Sequence, residues 1–258
     1  MTLNKLPIIR DFVTFLDTHL KSHTLPEAMK AVIQRSRSKV ATHGYTPNIQ
    51  QILKEKPCII IANHPHDAEV VTILSALPNH RDDISLIINY RMMGIVSELD
   101  RYCIPVYIEH HIDPIKRYPR IGKLIALTNP KQLFDEKYEH QRNRESIDEV
   151  AKRINDGGMV LLFPGKRAGT NRWFSGVGHL TSKIKKNAGA YIIPIYVTGT
   201  SDMDILRMIP FGGRILPQID MTFFEPIPVS SLLSFHPKEI TKKLQTDFEK
   251  NVQRLSGA

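Results

Sequence analysis

The sequence predicts an α/β fold: a mixed, mostly parallel central sheet flanked by helices, with an N-terminal helical appendage. Three observations carry this. Apolar runs rich in β-branched residues recur at Cys58–Ala62, Ile84–Asn89, 104–108, 159–163 and 191–197, each of strand length. Segments with helical apolar spacing stand between several of them, the β-α-β rhythm of a sheet covered on its faces. The first run ends abruptly in a polar cluster, Asn63-His64-Pro65-His66-Asp67-Ala68-Glu69, and open α/β sheets build their sites at the carboxyl ends of strands.

Taken in order, residues 6–53 read as helical. Leu6, Ile9, Phe12, Val13, Phe15, Leu16 and Leu20 recur at three- and four-residue spacing. Pro26 starts a second helix, with Glu27 early and Lys30, Arg35, Arg37 and Lys39 late, an order that complements the helix dipole. The stretch 44–47 interrupts it. The leader is expected to pack on the main domain through its apolar face, with contact to a membrane as the alternative use of that face. The domain reading is a helical segment over 1–53 and an α/β domain over 54–258.

Pro57 precedes the first strand. Val70, Val71, Ile73, Leu74 and Leu77 give a helix that stops near Pro78-Asn79. Residues 84–89 form a second strand, 92–99 a short helix and 104–108 a third strand. Residues 109–148 read as an insertion carrying short helices, with a basic group at Lys116, Arg117 and Arg120 and a charged run from Asp135 to Arg144. An amphipathic helix over 146–155 ends at Gly157-Gly158, where glycine suits a C-cap. The strand at 159–163 leads into a Gly-rich basic loop, Pro164-Gly165-Lys166-Arg167-Ala168-Gly169-Thr170. A helix then runs to Ala188 and ends at Gly189. The strand at 191–197 holds Pro194, which predicts an edge position or a local break in pairing. Residues 221–224 are the last strand expected, and 237–255 a closing amphipathic helix.

Composition narrows the function. The chain has 258 residues, 41% hydrophobic and 24% charged, ordinary for a globular protein with a sizeable core. Its two cysteines cannot make a disulfide framework and read as buried thiols. The N-terminus lacks a signal-peptide run, and no apolar stretch approaches the about 18 residues that span a bilayer. The protein is therefore expected in the cytoplasm, or peripheral on the inner face of a membrane. A net charge of +9 and a pI near 9.5 favour anionic partners. With no zinc-finger, RNP or basic-helix pattern, nucleic acid is not expected among them.

His64 is the candidate for chemistry. A neutral imidazole at a strand tip accepts a proton near physiological pH, and a carboxylate behind it fixes its tautomer. Glu69 and Asp67 are the candidate acids, and a structural cap is the competing role for His64. His64, His66, Asp67 and Glu69, with His110-His111, supply metal-ligand types, but their spacing matches no closed site, so no metal is expected. There is no Gly-x-Ser-x-Gly elbow, and the 164–170 loop lacks P-loop spacing, though its backbone and two cations suit a phosphate.

The combination is more specific than its parts. Asn63-His64 with Glu69 five residues on, Phe163-Pro164 before a Gly/Arg loop, Phe174-x-Gly176 and Ile193-Pro194-Ile195 resemble the glycerophospholipid acyltransferase family over roughly residues 55–200. That family places Asp where Glu69 stands. Its Phe-Pro-Glu-Gly-Thr-Arg block aligns with Gly165 and Arg167 when its Glu is deleted, and its second-block Arg falls nearest His110. The resemblance implies an O-acyltransferase. His64 would act as general base, supported by Glu69 or Asp67, with backbone N–H groups near the strand tip for the oxyanion. Asn63, Gly165, Lys166, Arg167 and His110 would bind substrate. The donor would be an acyl thioester of coenzyme A or acyl carrier protein, with no further cofactor. The acceptor would be a lysophospholipid, glycerol phosphate or similar alcohol, met at an anionic membrane surface. The alternative is a catalytically silent relative that binds lipid at a membrane.

Overall fold

The computed structural model describes residues 7–108, 134–165 and 173–257. Helices α1 (Pro7–Leu20), α2 (Leu25–Ser36) and α3 (Pro47–Glu55) precede the first central strand, β2 (Cys58–Ala62), with β1 (Val40–His43) between α2 and α3. Then come α4 (Ala68–Ala76), β3 (Ile84–Asn89), β4 (Cys103–Val106), α5 (Glu136–Asn155), β5 (Met159–Leu162), α6 (Gly176–Ser182), β6 (Tyr191–Thr198), β7 (Ile219–Phe223), β8 (Ile227–Pro228) and α7 (Pro237–Ser256).

The sheet runs β1-β7-β6-β2-β5-β3-β4, with β8 also on β6. Strands β6, β2, β5, β3 and β4 are mutually parallel. β7 and β8 are antiparallel to β6, and β1 is parallel to β7. This is the mixed, mostly parallel sheet the sequence predicts. β2 lies at its middle and is buried along its whole length, which is why it is a continuous apolar run rather than an alternating one.

The pleat sorts β2 between two cores. Cys58, Ile60 and Ala62 join α1–α4, while Ile59 and Ile61 join Val150 and Ile154 of α5, Leu180 of α6 and Leu244 of α7. Each buried isoleucine stabilises the fold by about 1.5–3 kcal/mol relative to exposure. The apolar face of α1 belongs to the first core: Leu16 and Leu20 are buried, and Phe12, Val13 and Phe15 pack against it.

Several expectations change, among them the helix expected to run to Ala188, which ends at Ser182 and is followed by a separate 3-10 turn at Lys186–Ala188. Residues 40–43, read as helical, form β1 at one edge of the sheet, register Val40↔Ile219 to His43↔Thr222. The charged run 135–144, read as part of an insertion with short helices, is the first half of the 20-residue α5, capped by Asp135 accepting from the Tyr138 N–H at 2.7 Å. The helix expected over 92–99 is two 3-10 turns, Tyr90–Met92 and Ser97–Tyr102. Of the two readings of Pro194, the edge position does not hold, since β6 is an interior strand.

The local-break reading accounts for Pro194. On one flank β6 keeps its ladder with β2 through Ile61↔Pro194. On the other it pairs with β8 at Tyr191 and Ile192, then with β7 from Ile195. Pro194 sits at the changeover, and its carbonyl accepts from Phe224 N–H at 3.0 Å on that flank. A strand residue's N and C=O face the same side, so the missing N–H falls where the partner switches.

A buried cation ties the amino ends of the central strands. Arg81, 6% exposed, donates to Lys56 O at 3.0 Å, Gly157 O at 3.2 Å and the Asp83 carboxylate at 2.7 Å. These residues sit just ahead of β2, β5 and β3. A further bond reaches Leu53 O at 3.3 Å. The polar strand tips at the opposite, carboxyl ends are thereby left to build a site.

Candidate active site

β2 ends at Ala62, and the next residue keeps it tied to β6. The Asn63 side chain donates to Val197 O at 2.7 Å and accepts from Val197 N–H at 2.8 Å. Asn63, expected to bind substrate, thus commits its amide oxygen and one N–H to the backbone of β6. This double bond of side chain to strand fixes the point at which the chain leaves the sheet, one residue before His64.

The His64 ring is 24% exposed and its Nδ1 lies 3.2 Å from Glu69 Oε2. Glu69 is completely buried in the first turn of α4. Its other oxygen accepts from the His66 backbone N–H at 3.2 Å and from the Thr200 hydroxyl. Burial acts to raise the Glu69 pKa and is the largest single influence. The hydrogen bonds from His64 and Thr200 outweigh it, and the carboxyl is held below its ordinary value. An ionised carboxylate at Nδ1 makes that nitrogen the donor and leaves the lone pair on Nε2.

The longer acid therefore reaches. A helix begins at Ala68, and Glu69 points back from its first turn to the strand tip. Asp67, the other candidate acid, is the exposed N-cap residue of α4. His66 turns its Nδ1 to Asp202 Oδ1 at 3.2 Å. Among the described residues, no three His, Cys, Asp or Glu side chains are grouped as ligands of one metal ion.

The second wall of the site comes from β5. The Phe163 ring stacks on His64, centroids 4.4 Å apart and planes at 25°. Strands β2 and β5 are in register from Cys58↔Met159 to Ile61↔Leu162, so their tips leave the sheet side by side. The loop after β5 is closed at its base by an antiparallel bridge between Gly165 and Trp173, and by Phe174 N–H donating to Pro164 O at 2.8 Å. Gly165, expected in substrate binding, therefore sits at the loop's neck. Lys166, Arg167 and His110, the other expected substrate-binding residues, lie outside the described residues.

Thr200 and Phe163 are additions to the candidate set. Thr200 follows β6, the strand beside β2, so position at an adjacent strand tip was the available signal. A lone hydroxyl residue in Gly-Thr-Ser reads first as a turn. Phe163 was visible as part of the Phe-Pro block but not as the partner of an imidazole ring.

A histidine backed by a buried carboxylate, at the carboxyl tip of the central strand of a mostly parallel sheet, is an arrangement chemically suited to proton transfer. The fold around it is shared with a solved acyltransferase. The crystal structure of the 1-acyl-sn-glycerophosphate (LPA) acyltransferase PlsC from Thermotoga maritima is similar to this chain over 94% of its length and 77% of the other's, with a TM-score of 0.50 and 16% sequence identity. At that identity the likeness shows the fold alone. No family model matches the sequence, and no curated protein matches it.

Proposed function

We propose that the chain is an O-acyltransferase that moves an acyl group from a thioester to a hydroxyl of a phosphorylated or lipid acceptor. The observation that carries this is the His64–Glu69 pair at the tip of β2. His64 Nε2 takes the proton of the acceptor hydroxyl as its oxygen attacks the thioester carbonyl carbon. The tetrahedral oxyanion collapses, the C–S bond breaks, and the departing thiolate takes the proton back from the imidazolium. An ester and a free thiol result, with His64 and Glu69 regenerated. Glu69 keeps the imidazole in the productive tautomer and stabilises its charged form. Phe163 holds one face of the ring. General-base assistance of this kind contributes about 10²–10⁴-fold.

The donor class is acyl-coenzyme A or acyl carrier protein, and the acceptor class is a lysophospholipid, glycerol phosphate or related alcohol. The net charge of +9 favours these anionic substrates and an anionic membrane surface. The silent, lipid-binding reading rests on the longer acid and on the missing Glu of the Phe-Pro block; the 3.2 Å contact between Glu69 and His64 supports the catalytic reading on the first of these.

The experiment is thiol release from acyl-coenzyme A and acyl carrier protein donors against a panel of acceptors, with His64→Ala alongside. The expected result is ester formation that falls by at least about 10²-fold in the variant. Transfer activity undiminished in His64→Ala sinks the assignment.

A further inference from the structure

The connection between β6 and β7 folds as two 3-10 turns, Asp202–Met208 and Gly212–Ile215. It holds four of the exposed large apolar side chains: Met203 at 55%, Ile205 at 49%, Phe211 at 52% and Ile215 at 78%. The two turns pack closely, since a Cβ on Gly212 would stand 2.0 Å from Leu206 O. Phe211 N–H donates to Arg35 O at 2.9 Å, which fastens the pair to the end of α2.

Phe211 is the informative residue. Its φ is +65°, and the only other non-glycine residue with positive φ among the described residues is Arg37, at +53°. Such a conformation favours glycine, and a bulky side chain there carries a backbone cost. The two strained residues meet: the Arg37 guanidinium lies 4.6 Å from the Phe211 ring centroid, and that of Arg214 lies 5.6 Å away. Both arginines are exposed, and neither is in an ion pair among the described residues. The segment's acids are engaged: Asp204 with Arg207, both 6% exposed, and Asp202 with His66. Folding gains little from holding a half-exposed phenyl ring between two cations in a left-handed conformation.

We propose that this surface docks the protein on an anionic phospholipid bilayer, with Phe211, Ile215, Met203 and Ile205 entering the acyl boundary and Arg37 and Arg214 at the headgroups. Arginines that place charge in the headgroup layer beside immersed apolar side chains are the chemistry of an interfacial anchor. Phenylalanine, methionine and arginine also suit a protein interface; the bilayer is chosen because both arginines and the net charge of +9 complement an anionic surface. The surface also adjoins the site, since Thr200 and Asp202, at the start of this connection, hold Glu69 and His66. The choice of a bilayer rests partly on the acyl-transfer reading, which calls for a lipid at His64.

The test is flotation of the full chain with vesicles of phosphatidylcholine alone, and of phosphatidylcholine mixed equally with phosphatidylglycerol. The wild type is expected to float with the mixed vesicles. Phe211→Gly paired with Ile215→Ser should weaken partitioning by about tenfold or more. Arg37→Gln paired with Arg214→Gln should remove most of the preference for phosphatidylglycerol and its salt dependence. Phe211→Gly alone should melt at the wild-type temperature or above, since it relieves the left-handed strain, so lost partitioning is not lost folding. Phe235→Ser, at an exposed ring elsewhere, should float as the wild type does. The proposal is overturned if the wild type ignores mixed vesicles, or if the double apolar variant floats undiminished. It is also overturned if that variant instead breaks up a dimer of this chain or its binding to acyl carrier protein. Partitioning is read without turnover, so docking can stand where acyl transfer fails. Equally, thiol release with water-soluble glycerol phosphate can stand where docking fails.

Discussion

The hydroxyl of Thr200, on the loop that leaves β6, donates to Glu69 Oε1, while the other oxygen of that carboxylate holds His64. A residue some 131 positions away in sequence from Glu69 thus acts on the imidazole through one buried acid. Under the proposed acyl transfer, Thr200 is assigned the role of a positioning residue. Thr200→Val keeps the shape and removes the donor, leaving a buried carboxylate short of one bond. A hydrogen bond to a charged group is worth about 1.5–3 kcal/mol, so transfer should fall by roughly ten- to a hundredfold. Thr200→Ser should recover most of it. Because the lost bond helps hold the Glu69 carboxyl below its ordinary value, the valine variant should also lose stability at a higher pH on acidification. A valine variant with wild-type kinetics and an unchanged acid profile would rule out the positioning role.

The Glu69 shift fixes the sign of an acid effect on folding. The unfolded chain takes up its proton near the ordinary value of 4.5, whereas the folded protein, with its pKa lowered, resists until the pH is lower still. The stabilisation from this carboxylate is complete above the unfolded value and drains away as pH falls through the folded one. Glu69→Gln should therefore be less stable than wild type at pH 7, by roughly 2–3 kcal/mol for the charged bonds lost. The gap should close on acidification, as the wild type surrenders the same interactions. Melting temperatures of both proteins from pH 7 to below the ordinary value give the comparison. A gap that stays constant throughout would mean that Glu69 is not ionised in the fold.

Both thiols should be inert in the native protein. Cys58 is wholly buried at the start of β2 and Cys103 is 7% exposed at the start of β4. Burial pushes each up to about 12, so the reactive thiolate is scarce at neutral pH. Maleimide labelling at pH 7 should proceed at the rate of unfolding and reach both sites in urea. It should leave acyl transfer untouched in folded protein. Rapid native labelling at either position would contradict the burial.

Much of this arrangement was legible where burial writes a simple pattern. β2 and β3 are apolar runs whose ends match the structure, because an interior strand needs apolar side chains on both faces. β1 was hidden: its four residues, Val-Ala-Thr-His, are half-buried or exposed, and its partner β7 lies far along the chain. The first half of α5 was hidden too, since Glu-Lys-Tyr-Glu-His-Gln-Arg-Asn-Arg-Glu carries almost no apolar spacing. Local pairs such as Arg142–Glu145 at 2.6 Å support it instead. His64 and Glu69 could be named because both lie within one strand-to-helix junction. Thr200 joins them only through the adjacency of β6 and β2, which a single strand's sequence does not encode.

Arg81 holds the end of the sheet opposite the candidate site. Its guanidinium binds Lys56 O, Gly157 O and Asp83 at the amino ends of β2, β5 and β3, while His64 stands at the carboxyl tip of β2. In Arg81→Met the stem is kept, but three buried carbonyls, counting Leu53 O, lose a charged donor. At about 1–3 kcal/mol for each buried group left unsatisfied, with partial relaxation, a loss of about 3 kcal/mol is expected. Urea unfolding should show a lower midpoint with an unchanged slope, since the surface exposed on unfolding is the same. Arg81→Lys should lie nearer the methionine variant than the wild type, because one ammonium cannot reproduce the planar fork across three strands. Activity per folded molecule should stay at the wild-type level in both. If transfer by the folded fraction collapsed with Arg81→Met, the amino-end clamp would have to set the geometry of His64 through β2, and the two ends of the sheet could not be treated as independent.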